Sequence, residues 1–162
     1  MRSIRTLAAL AGMFLLAAGL AQTPGGRYSA TTGDVALVAA STTLTIQQPT
    51  TPVRPLRFEL ATIYCSVACN VNQSQNGTAA TATAGTLTPI SPYNQAATGR
   101  VFTASNVGAG TAIGGILHLQ ALQMVTLDLS QVVVPTQAAA NYSITVSAIT
   151  GTANISVIEV ER

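Results

Sequence analysis

Reactive side chains are scarce in this chain, and they define what chemistry it could attempt. Its one histidine is His118. With a serine and Asp34 or Asp128 it could in principle form a triad, the imidazole taking the serine proton and the carboxylate orienting the ring. No G-x-S-x-G elbow is present, and His118 shares a parity with Gln120, so it is expected to face solvent on a strand. Glu159 and Glu161 lie two apart, which in a strand puts both carboxylates on one face. Paired carboxylates cleave glycosidic bonds when they flank a sugar cleft lined by aromatic rings. With no Trp, three Phe and four Tyr in the whole chain, such a cleft is poorly supplied. The pair is instead read as solvated charges that blunt a terminal edge strand. No catalytic residue is expected.

Cys65 and Cys69 are the only cysteines. CSVAC lacks C-x-x-C spacing and further ligands, so neither a redox nor a metal site is implied. A disulfide is expected if the chain is exported, with the two residues facing each other across a short turn or flanking one turn of helix. The run from Gly108 to Gly114 is one residue too long for a dinucleotide loop and lacks its β-α-β setting. No cofactor and no metal are expected. Among the tyrosines, Tyr64 and Tyr142 alternate with core residues and are read as core. Tyr93 then remains as a possible ligand contact in the loop Pro89–Gly99, beside Ser91 and the glycine-rich turn Asn106–Gly115; a glycan is the class of ligand it would suit.

The elements that would position these groups are strands. Arg57–Asn76 reads as a hairpin about Ser66-Val67-Ala68, with Cys65 opposite Cys69 and Ile63 opposite Val71. Phe58, Leu60 and Tyr64 fall on the other face of its first arm, so both faces are expected to be covered. Asp34–Ala40 and Thr42–Gln48 precede it as strands, joined to it by the proline-rich 49–55 link. Thr78–Thr88, nearly pure Ala and Thr, is expected to be a strand packed close to a neighbour. In Ile116–Leu129, the residues Leu117, Leu119, Val125, Leu127 and Leu129 share one parity, interrupted on the other by Leu122 and Met124. This predicts a long or broken strand with one buried face. Tyr142–Ile149 and Ile155–Val160 close the chain as a second hairpin through Gly151. No helical period follows residue 21. About ten short antiparallel strands in an all-β chain predict a two-sheet β-sandwich of jelly-roll type.

Residues 1–21 carry the marks of a signal peptide, expected as an N-terminal helix: Arg2 and Arg5, an apolar run Leu7–Leu20, and small residues at a cleavage site. Residues 22–33, broken by Pro24, Gly25 and Gly26, are read as a flexible lead-in, and residues 34–162 as the sandwich domain. The chain is thus expected to be secreted, extracellular or on the cell surface. All seven of its cations are arginines, two of them in the signal segment, against five acids. A near-neutral, lysine-free surface gives no basic face for nucleic acid or anionic lipid. It does suit a subunit that contacts copies of itself or a surface.

The text NGTAATATAGTLTPISP (76–92), AATGRVFTASNVGAGT (96–111) and NYSITVSAITGTANISVIEVER (141–162) resembles small jelly-roll proteins of tailed-phage virions and phage-like gene clusters. The resemblance extends over about residues 54–162 and implies a non-enzymatic structural or decorating subunit, commonly a homo-oligomer. The signal segment departs from that pattern, since most virion proteins assemble in the cytosol. The sequence therefore points to an exported, non-catalytic structural or adhesive sandwich, acting through self-association or surface contact.

Overall fold

The computed structural model describes residues 26–37, 40–77, 83–90, 97–103 and 110–161. The signal segment, Ser91, Tyr93 and residues 106–109 of the glycine-rich turn lie outside the described residues, as does the first half of the Ala/Thr run. The described residues form fourteen strands. They are β1 (Arg27–Thr31), β2 (Val35–Ala36), β3 (Ala40–Gln47), β4 (Leu56–Cys65), β5 (Cys69–Gln75), β6 (Thr83–Ala84) and β7 (Thr88–Pro89). Then follow β8 (Arg100–Thr103), β9 (Thr111–Ala112), β10 (Leu117–Leu119), β11 (Gln123–Asp128), β12 (Val133–Val134), β13 (Asn141–Ala148) and β14 (Thr152–Val160).

They make two antiparallel sheets. Sheet A runs β11-β4-β14-β1-β7, with β12 also on β4 and β2 on β14. Sheet B runs β10-β5-β13-β3-β8-β6, with β9 also on β5. The all-β, two-sheet architecture is as the alternation implies, but two pairings are not. β4 and β5 are not a hairpin, since they lie in different sheets and the chain turns a corner at 66–68. Ile63 and Val71 are both buried, yet they belong to opposite sheets. β13 and β14 likewise divide between the sheets. A tight turn serves a ladder or a corner equally well, because each returns the same parity of side chains toward the core.

A third difference concerns the lead-in. Arg27–Thr31 forms β1 and pairs with β14 from Arg27↔Val160 to Thr31↔Ser156. The alternation of Tyr28 and Ala30, both buried, between Arg27, Ser29 and Thr31 gives this stretch a dry face. β14 consequently sits between β4 and β1 rather than at an edge.

The core is the space between the sheets, filled by Ala61, Ile63, Ile155 and Val157 from sheet A and by Leu44, Ile46, Val71, Ile144 and Val146 from sheet B. Each Leu, Ile or Val so buried contributes roughly 1.5–3 kcal/mol. The Phe58 and Tyr142 rings meet across it, with centroids 5.0 Å apart. Phe58 is inward because β4 bulges: opposite β14, Ile158 pairs with Leu60 and Glu159 with Phe58, skipping Glu59. A bulge inserts one residue and flips the phase beyond it, so Phe58 enters the core while Leu60 and Tyr64 stay on the outer face, half-buried. The outer side of sheet B is also unusually dry over β3 and β13. Buried Thr45 and Ser143 pair their hydroxyls at 2.9 Å, and Thr43 pairs with Thr145 at 2.9 Å.

Candidate functional site

The strand register aligns two ends of the sandwich. At one end lie the 66–68 corner, the 120–122 turn and the 149–151 turn, all level with Cys65, which pairs with Gln123 on one side and Ala153 on the other. Cys65 and Cys69 are disulfide-bonded, with Cα atoms 6.4 Å apart. Because their strands belong to different sheets, the bond clips sheet A to sheet B. Gly151 is needed beside it: its φ is +99°, and a Cβ there would lie 2.6 Å from Val67.

His118 stands on β10 near this clip, exposed, with Nδ1 2.6 Å from Asn70 Oδ1. The shallow groove around it, about 300 Å³, is lined by Cys69, Asn70, Gln120, Ser147 and Ile149 among others, with no carboxylate. Among the described residues no three His, Cys, Asp or Glu side chains converge as metal ligands.

The same end displays apolar side chains in solvent: Ile149 is 82% exposed, Leu122 75% and Met124 67%. Leu122 is also strained, holding a φ of +58°. That left-handed conformation costs a residue with a Cβ roughly 1–2 kcal/mol, which glycine at this turn would avoid. Leu122 leads into β11, whose Val125 and Leu127 pack toward the core while Met124, Thr126 and Asp128 point outward. β11 pairs with β4 on one side, and no described strand pairs with its other side. Of its six residues only the last, Asp128, is charged, and none is Pro or Lys. The opposite edge of sheet A is β7, two residues long and ending in Pro89. Natural sheets protect edges by shortness, proline or charge. β7 is protected, and β11 is open among the described residues.

At the far end of the sandwich the two glutamates behave unlike the solvated edge pair expected from sequence. β14 is internal, and both side chains are buried, Glu159 completely. Glu161 Oε1 accepts the backbone N–H groups of Thr98 at 2.6 Å and Gly99 at 3.0 Å. Glu159 lies between Tyr28 and Phe58 on the neighbouring strands, and neither of its carboxylate oxygens has a hydrogen-bond partner among the described residues. Burial, reinforced by Glu161, pushes its pKa up to about 8, so the carboxyl is a neutral acid at neutral pH. The Tyr28 hydroxyl is also shifted upward, by burial first, then by Glu161 and Glu159 against the opposing pull of Arg54. A Cβ on Gly99 would sit 2.9 Å from Glu159 Oε1, so any larger residue there would force the buried carboxyl to shift. This burial has no signal in the sequence, because nothing there marks β1 as the strand that covers the open side of β14.

The structure therefore does not bring the candidate groups together: His118 lies at the disulfide end and the glutamates at the other. Tyr64, expected in the core, lies half-buried on the outer face of sheet A between Met124 and Asn154. Searches against protein-family models, curated proteins and solved structures find no match to the chain.

Proposed function

We propose that this chain is an exported, non-catalytic structural subunit with jelly-roll topology, which associates with copies of itself through the β10–β11 corner and the open edge of β11. The observation that carries the proposal is Leu122, a large apolar side chain held in solvent and in a left-handed conformation. A residue that is unfavourable on both counts in the isolated chain is explained if it anchors a contact. The open edge beside it offers unpaired backbone donors and acceptors to a second strand, the usual route of sheet extension. Near-neutral net charge and the absence of lysine leave little repulsion between copies.

The jelly-roll reading is supported by strand order. With the two-residue strands β2, β6, β7, β9 and β12 set aside, and β8 taken as an addition to the margin of sheet B beyond β3, the remaining eight, renumbered 1 to 8 along the chain, lie 1-8-3-6 in sheet A and 2-7-4-5 in sheet B. Chain passage between sheets at nearly every connection is the two-Greek-key pattern. That architecture serves capsid and lectin domains alike, so a virion-type decorating subunit belongs to the same physical class. Export is supported by the signal-like N-terminus and by a disulfide that only an oxidising compartment maintains. The non-catalytic reading is supported by the separation of His118 from the buried glutamates.

Size-exclusion chromatography with light scattering on the full chain tests the association. A discrete oligomer is expected, reduced to monomer by Leu122→Lys with Thr126→Lys. A protein that is monomeric at high concentration sinks the proposal.

A further inference from the structure

Between β11, β4 and β14 the outer face of sheet A is recessed. The recess, about 260 Å³, is lined by Asp34, Thr62, Tyr64, Met124, Asn154 and Ser156. Its floor is low because Thr62 and Ser156, paired across the strands, are short. Tyr64 and Met124, also cross-strand neighbours, raise one wall. Asn154 and Asp34 form the other.

We infer that this recess is a binding site for a neutral saccharide, taking one sugar ring with its C–H face on Tyr64 and its hydroxyls on the Asn154–Asp34 pair. Three features carry this. First, the polar wall is preorganised. Asn154 Nδ2 donates to Asp34 Oδ1 at 3.0 Å, while its Oδ1 accepts from Thr31 Oγ1 at 3.2 Å and from Ser156 Oγ at 3.5 Å. Fixing the amide in advance removes the ordering cost that a free side chain would pay on binding.

Second, the wall retains unused capacity. Asp34 Oδ2, the second Asn154 amide hydrogen, Thr62 Oγ1 and Tyr64 Oη make no hydrogen bond among the described residues. Both acceptors and donors thus line the recess, a mixture that vicinal hydroxyls satisfy, since each hydroxyl both donates and accepts. Third, the electrostatics select the ligand. No cation lines the recess and one carboxylate does, so phosphate, sulfate and carboxylate ligands are repelled. An apolar peptide would leave the Asp34 carboxylate and the amide hydrogen desolvated and unpaired, at a large cost. A sugar ring instead meets the negative face of the Tyr64 ring with its weakly positive C–H groups. The recess lies just below the usual range of ligand-cleft volumes, so it has room for no more than a terminal or single ring.

The recess shares Met124 of β11 with the self-association surface, yet the two readings fail separately, since one is read by sugar-dependent amide shifts and the other by mass. The test is a titration of the ¹⁵N-labelled full chain with glucose, galactose, mannose and N-acetylglucosamine at millimolar excess, with light scattering on the same samples. For at least one sugar, shifts are expected at the amides of Tyr64, Asn154 and their cross-strand neighbours. Tyr64→Ala should weaken that binding roughly tenfold, whereas Tyr64→Phe, which keeps the ring, should retain it. Asn154→Leu, which keeps the volume and removes the amide, should also weaken it. A preserved amide spectrum shows that each variant is folded, and Asn154→Leu reads the site if Tyr64→Ala is not. Absence of shifts at these amides with all four sugars overturns the inference, as does binding unchanged in a folded Tyr64→Ala or Asn154→Leu. An oligomer that persists while sugar binding is absent removes this site alone.

Discussion

At the disulfide end of the sandwich Leu122 and Ile149 stand in solvent, while at the opposite end Glu159 and Glu161 are sealed into the core. Each end thus reverses the ordinary partition of apolar and charged groups, and the two reversals have different causes. At the disulfide end the two sheets are held together covalently, and the apolar side chains of the neighbouring turns face outward. At the acidic end the sheets are closed by backbone groups of residues 98 and 99 on a carboxylate, and the companion carboxyl is buried as a neutral acid. The comparison separates a surface suited to contact from an interior whose stability depends on a proton.

Glu159→Gln should produce the largest effect. The folded-state pKa of Glu159, about 8, lies above the ordinary glutamate value of 4.5, so within that window the folded chain holds a proton that the unfolded chain has released. Stability is therefore full at the acidic side of the window and declines as pH rises through about 8. The variant, which keeps the shape and cannot ionise, should be flat over the same range. It should exceed the parent by roughly 5 kcal/mol at the alkaline side, as read from denaturant titrations at several pH values. A parent profile that is already flat there would mean that the carboxyl is charged and compensated. Gly99→Ala attacks the same end sterically, since its Cβ would press on Glu159 Oε1 at 2.9 Å. A loss of about 1–3 kcal/mol is expected by the same measurement.

At the other end, Cys65→Ser with Cys69→Ser removes a bond that closes a very short loop, and the chain-entropy model assigns such a loop about 2 kcal/mol. Thermal unfolding with and without reductant measures it. The loss should be independent of pH, in contrast to Glu159. The smallest expected change in stability, and the most informative about contact, is Leu122→Gly. Relief of the left-handed strain should stabilise the subunit by about 1 kcal/mol while the oligomer seen by light scattering weakens. If the variant is both more stable and equally associated, Leu122 is no anchor.

Much of the outcome is present in residue order. Tyr142, Ile144 and Val146, like Ala153, Ile155 and Val157, face the core as their alternation requires. The cysteine pair bonds as its spacing and a tight turn allow. The strand proposed across Ile116–Leu129 breaks at Gln120–Leu122, where Leu122 had already interrupted the pattern. The misread residues share one trait: their fate depended on a neighbour rather than on their own parity. Tyr64 and Phe58 have the same parity in β4, and only the bulge opposite β14 sends one inward and leaves the other at the surface. Glu159 has the parity of Val157 and was discounted because charge usually stays in water.

Side-chain alternation alone determined that the described residues are all-β and, away from the bulge in β4, which faces turn inward, because the strand period of two is written in every residue pair. The tertiary structure alone decided which strands became neighbours. It divided β4 from β5, brought β1 onto β14, buried two glutamates and left the edge of β11 open. The reason is physical: strands associate through backbone N–H and C=O groups that every residue carries alike, so pairing leaves no mark in the order of side chains and is settled only when the whole core closes.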